Sequence, residues 1–210
     1  MRALGARSVP VVARDGRFVF AQVIKDVVDF LELPDDTAPE LSPAVLATRL
    51  ERILGTAVRL TRQMPDARLE DLLPNRPRSW RVLMHHVFQI SIAYLDMEEH
   101  GSTLTYETLT APPPDDMRTS AAVADHGEAV RGRFAAWWDR ATDEDFSGRV
   151  PTYFGGTTRH EMLERTVWHT AQHVRQVASL LEQAGVAPDR PLTTDDLQGL
   201  PLTDTVWDED

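Results

Sequence analysis

His169 and His173 stand four residues apart in a stretch that reads as helix from about Thr158 to Ala184. On a helix, residues four apart share a face, one turn up. Two imidazoles placed so can point at one cation. A third histidine, His86, with His85 beside it, lies far upstream in another helical segment. Three neutral imidazoles from two helices make an open site, with a free coordination position for water or substrate. The chain has no cysteine. That excludes disulfides, thiolate ligands and a cysteine nucleophile, so a metal must be held by histidine and carboxylate.

Other residues near this face can take part. Gln176 follows His173 by almost one turn and can orient a ligand or a bound water; an interhelical hydrogen bond is the plain alternative. Arg165 precedes His169 by one turn and suits a substrate carboxylate, although pairing with Glu161 or Glu164 is the simpler expectation. Tyr153, in the loop before the last long helix, can donate a proton or merely pack. Of the adjacent Trp137 and Trp138, one is expected in the core and the other over the site or a dimer contact. His100, His126 and His160 fall at helix ends or polar positions and read as surface. No Ser-His-Asp order, phosphate-binding glycine loop or paired-carboxylate motif stands out.

The elements that must position these residues can be read from periodicity. Ser42 caps a helix with Pro43 at its first position, and Val45, Leu46, Leu50, Ile53, Leu54 and Val58 form one apolar stripe, giving a helix over about 43–63. Ser79 caps a second helix, about 79–99, whose inner stripe is Val82, Leu83, His86, Val87, Ile90 and Ala93/Tyr94; Gly101 ends it. A third helix spans about 120–141. A fourth spans about 158–184, with a Thr158/Glu161 capping box and Gly185 at its end. The stretches 65–77, 102–119 and 143–156 read as loops, the second Pro-rich and placed to line a site mouth, the third with extended pieces around 150–154. Residues 186–210 read as an extended tail.

Before the bundle, Ser8 to Ala13, the turn Arg14-Asp15-Gly16-Arg17 and Phe18-Val19-Phe20 read as a β-hairpin, followed by a short helix from Ala21 to Leu31. The predicted fold is therefore mainly α, a four-helix bundle with a small N-terminal β-hairpin plus helix. The expected divisions are an appendage at 1–33, a bundle at 42–185 and the tail at 186–210.

Composition narrows the partners. The 42% apolar content suits a folded core, and net charge is −11, from 33 acidic against 22 basic residues. An acidic chain repels phosphate backbones and anionic membranes, so nucleic acid and membrane are excluded as expected partners. No charged segment leads into an apolar signal core, and no apolar run reaches the ~20 residues that span a bilayer. The expectation is a cytoplasmic protein acting on a small molecule.

Two stretches carry a family resemblance. Arg78-Ser79-Trp80-Arg81-Val82-Leu83-Met84-His85-His86-Val87-Phe88-Gln89-Ile90 resembles the first histidine helix of the DinB/YfiT-like bundle family. Val167-Trp168-His169-Thr170-Ala171-Gln172-His173-Val174-Arg175-Gln176-Val177 is similar to its second motif, His-x3-His with Gln three residues on. The resemblance covers about residues 42–185. It implies a four-helix bundle, a divalent metal on His86, His169 and His173, and a homodimer. His85 lies ~100° round the helix from His86, so it is expected at the rim or in a helix contact. Zinc is the expected ion, because imidazole suits it, with nickel and iron(II) open. Similar bundles include transferases dependent on a low-molecular-weight thiol, a thiol-dependent isomerase, and the iron-binding part of sulfoxide synthases. The implied function is thus a metal-dependent S-transferase or related enzyme; the alternatives are a non-catalytic metal-binding stress-response module or an iron-dependent, oxygenase-like site. Finally, Ser8 to Leu31 resembles the C-terminal half of a glutaredoxin-like domain, in which the Val9-Pro10 bond would be cis; lacking cysteine, it cannot perform disulfide exchange.

Overall fold

The computed structural model describes residues 11–20, 24–34, 38–74, 76–141 and 146–207. The chain divides into two compact units, Met1–Pro39 and Glu40–Asp210.

In the first unit, β1 (Val11–Arg14) pairs antiparallel with β2 (Arg17–Phe20), in register from Val11 opposite Phe20 to Arg14 opposite Arg17. Asp15 and Gly16 both have positive φ, 52° and 73°. That is the two-residue turn whose twist matches the strands it joins. Helix α1 (Ile24–Leu31) follows. It is tied to the hairpin by Arg14, which donates to the Leu31 carbonyl at 3.0 Å, and by the Arg17 guanidinium over the Phe30 ring at 5.6 Å. Hairpin and helix are as expected. Val9-Pro10 and Ala21 to Val23 lie outside the described residues, and the hairpin and helix alone do not show a likeness to glutaredoxin.

The second unit is built on α2 (Pro43–Gln63), α3 (Trp80–His100), α5 (Ser120–Trp138) and α6 (Arg159–Gln183). Their starts follow from capping chemistry. Ser42 and Ser79 accept from the backbone N–H three residues on, at 3.4 Å each, and Thr119 does the same for Ala122 at 3.1 Å. Thr158 and Glu161 form the reciprocal capping box, with Glu161 accepting from the Thr158 amide at 2.8 Å. Gly101 and Gly185 stop α3 and α6 at φ 65° and 75°, a conformation that costs other residues strain.

α2 and α3 stand diagonally across the bundle, and each packs against both α5 and α6. The shared core includes Leu50 and Leu54 of α2, Phe88 and Tyr94 of α3, Phe134 of α5 and Leu163, Val167 and Val174 of α6. α5 comes close to α3 at Gly127: a Cβ there would lie 2.3 Å from the Phe88 ring, so only glycine fits. No helix among the described residues is long and apolar enough to cross a membrane.

Two segments predicted as loop or tail, 102–119 and 186–210, hold helical turns, and the extended pieces expected around 150–154 form a hairpin. Within 102–119 a single-turn helix α4 (Tyr106–Leu109) forms on a capping box between Thr105 and Thr108. Within 143–156 and just beyond it, β3 (Arg149–Thr152) and β4 (Gly155–Thr158) pair antiparallel, bringing Tyr153 and Phe154 into their turn. The tail carries α7 (Thr194–Leu197), capped by Thr193 with Asp196. It is also fastened to the bundle: Arg175 donates to the carbonyls of Thr203 and Asp204 at 2.8 Å each, and Trp207 Nε1 donates to Ser179 Oγ at 3.2 Å. Apart from the Trp207–Ser179 bond, these contacts use backbone acceptors and turn-length caps, which leave no apolar periodicity to read.

Candidate metal centre

His86 comes from the middle of α3 and is buried; His169 and His173 come from successive turns of α6, its neighbour, and are partly exposed. The three rings meet at the α3–α6 seam. Ring centroids are 5.5 Å apart for His86 and His169, and 4.9 Å for His86–His173 and His169–His173. One nitrogen from each ring lies within 4.8 Å of the other two. A single cation fits among three nitrogens at that spacing.

Two of the three rings also make a hydrogen bond to the surrounding protein. His173 Nδ1 donates to Gln176 Oε1 at 2.7 Å. Gln176 cannot turn its amide round, because its Nε2 donates to the Val206 carbonyl at 3.0 Å. The proton is therefore fixed on Nδ1, and Nε2 keeps the lone pair that a cation needs. The His86 ring donates to the backbone carbonyl of Leu109. That carbonyl is presented by α4, which Gln89 of α3 holds in place by donating to the Thr108 carbonyl at 2.8 Å. The segment expected to line a site mouth thus also supplies an acceptor to one of the imidazoles.

All three imidazoles are held neutral. Burial is the main cause each time. It pushes His86 down to about 3, with His173 and Arg78 adding repulsion, and His173 down to about 4, against the upward pull of its bond to Gln176. His169 also lies well below its usual value, through burial and then the neighbouring His173 and His86. Neutral imidazole is the form that binds metal.

The remaining candidates take definite places. Arg165 lies with its guanidinium 4.6 Å from the Phe154 ring centre and 5.5 Å from that of Trp168, and it hydrogen bonds Tyr153. Tyr153 packs against Phe154 and Tyr106, at 4.9 Å and 6.1 Å between centroids. Trp137 is in the core, as expected of one of the pair, but Trp138 packs on Phe146 at 5.7 Å and not over the histidines. Of the two places expected for His85, it takes the helix contact and not the rim: it is 3% exposed and stacks on His126 of α5, 5.4 Å away and 14° from parallel. That contact corrects the reading of His126 as a surface residue. His160 is likewise not a free surface group, since its Nε2 lies 2.8 Å from the Leu41 carbonyl; His100 is exposed as expected.

One functional candidate was not singled out from the sequence. A cleft of about 210 Å³ beside the centre is lined by Arg78, Ser79, Val82, His86, Thr110 and Ala111, with Pro77. The signal was present: Ser79 stands seven residues before His86, two turns down the same face, so the residue beside this cap sits at the mouth.

No protein-family model matches the chain, and no curated protein does. Among solved structures, the fold is similar to the crystal structure of a DinB-like protein, YjoA, from Bacillus subtilis. The TM-score is 0.54 and the identity 10%, over 70% of this chain and 95% of that one. The bundle is DinB-like in fold. At so low an identity the DinB-like likeness speaks for architecture, and the chemistry must come from the residues.

Proposed function

We propose that this DinB-like bundle is an enzyme that binds a divalent ion, zinc first, on His86, His169 and His173, and uses it to generate a thiolate or hydroxide nucleophile for transfer to a small electrophile. The observation that carries this reading is the mutual approach of three imidazole nitrogens, all within 4.8 Å of one another. When bound, the ion supplies Lewis acidity that lowers the pKa of a coordinated thiol or water toward neutrality.

The chain's own residues supply the rest. Gln176 holds His173 in the tautomer whose other nitrogen keeps its lone pair, and a hydrogen bond to the Leu109 main chain steadies the His86 ring. Three protein ligands leave a position for the nucleophile, as open catalytic sites do. In the thiol case the sulfur's proton passes to solvent, its electron pair forms a bond to an electrophilic carbon, and the leaving group departs with the pair of the broken bond.

Metal analysis of protein purified without added metal, followed by thiol transfer to a model electrophile with and without chelator, tests this reading. One ion per chain, and turnover abolished both by chelation and by His173→Ala, is the expected result. Turnover that survives both treatments would sink it. Stoichiometric metal with no turnover of any thiol or water substrate would leave the non-catalytic metal-binding module.

A further inference from the structure

The chain is acidic overall, at −11. The candidate centre runs against that balance. Among the described residues, the charged side chains that act on its three imidazoles are Arg76, Arg78 and Arg165, with no carboxylate among them. A divalent cation on three neutral ligands would add two further positive charges. In a partly desolvated site such an accumulation calls for an anion.

Arg78 is the residue placed to meet that anion. Arg165 is already engaged by Tyr153 and the Phe154 and Trp168 rings. Arg78 is half-buried, and burial depresses its pKa, with repulsion from Arg76 adding to the effect and the Tyr106 hydroxyl opposing it; no described carboxylate acts on it. Its main-chain N–H and C=O are used within the loop, by Arg76 and Leu73, which fixes where the side chain starts. It shares the walls of one cleft with His86, so a molecule held in that cleft meets both residues. At about 210 Å³ the cleft is smaller than the several hundred Å³ usual for drug-sized ligands, and so admits a molecule of few heavy atoms. A guanidinium offers a planar fork of donors that suits a carboxylate or another oxyanion.

We propose that Arg78 binds an oxyanion of the substrate, a small acid whose reacting group reaches the cation held by His86, His169 and His173. The proposal rests on the metal reading above and adds the substrate's charge class and the residue that selects it. Arg78 is then a specificity residue, acting on affinity and not on the reacting bond.

Cobalt(II)-loaded protein provides the test, because its visible bands report on the metal and a near-ultraviolet charge-transfer band reports thiolate binding. Two acidic thiols, 3-mercaptopropionate and 2-mercaptoethanesulfonate, are titrated against neutral 2-mercaptoethanol. At least one acid is expected to bind about tenfold more tightly than the neutral thiol, the scale of one partly exposed charge-assisted contact. Arg78→Gln should erase that preference while leaving cobalt content and 2-mercaptoethanol affinity unchanged, and Arg78→Lys should keep most of it. Carboxylate and sulfonate arms distinguish a planar from a tetrahedral anion site. If cobalt binds but acid and neutral thiols bind alike, or if Arg78→Gln keeps the preference, this proposal is wrong and the metal reading stands. If no cobalt band forms, the metal reading fails and takes the proposal with it.

Discussion

His173 Nδ1 lies 2.7 Å from Gln176 Oε1, three residues further along α6, and the amide that receives this proton is itself locked by the Val206 carbonyl. The bond sets which nitrogen of His173 faces the cation. Gln176→Ala should therefore weaken metal binding about 10–100-fold, the usual effect of losing a ligand's outer partner, with helix content unchanged. Competition against a chromophoric chelator measures it. An unaltered metal affinity would mean that the tautomer is set elsewhere.

The depressed imidazoles govern how the centre responds to acid. A histidine with its usual pKa near 6.5 surrenders metal as pH falls below 7. Here proton competition begins only as pH approaches about 4 to 3, where His173 and His86 titrate. Bound metal should accordingly be retained at pH 5.5, and half-release should fall below about pH 5. Dialysis at stepped pH with metal analysis decides this, and release centred between pH 6 and 7 would contradict it.

Glu164 gives a different pH dependence, one of stability. Burial, with repulsion from Glu40 and Glu161, raises its carboxyl to about 7. The folded state then prefers the protonated form, so between pH 4.5 and 7 it holds more protons than the unfolded chain and stability falls as pH rises. Glu164→Gln should be stabilising at pH 8 by about 2 kcal/mol, allowing for partial solvent screening, and neutral at pH 4. Denaturant midpoints at the two pH values are the readout; an equal effect at both would refute the assignment.

Gly127 tests the packing. With a Cβ 2.3 Å from the Phe88 ring, Gly127→Ala must push α5 away from α3 or tilt a fully buried ring. Alanine favours helix intrinsically by about 1 kcal/mol, yet overpacking should prevail and destabilise the fold by about 1–3 kcal/mol. Thermal unfolding shows which term wins.

Much of this was legible because the long helices declare themselves through caps and stripes. Ser42, Ser79 and Thr158 mark three starts, Gly101 and Gly185 two ends, and the 3.6-residue period puts His86 on the buried face of α3 and His169 and His173 on one face of α6. What stayed hidden is held by main-chain atoms. The carbonyls of Leu109 and Val206 orient two of the imidazoles, and a carbonyl has no side-chain identity to betray it. The tail's α7 and the single turn of α4 are too short for periodicity to register. His126 was misplaced because α5 is rich in alanine and its faces differ little in polarity, so the side turned toward His85 was not distinguishable.

Val206 accepts from both Gln172 and Gln176, so the segment 203–207 is latched onto the same helix that presents His169 and His173. Whatever tightens the cation's grip on His173 must, by reciprocity, tighten that latch as well. The rate at which a protease clips residues 203–207 then becomes an external gauge of how full the centre is, readable on a gel without a single turnover.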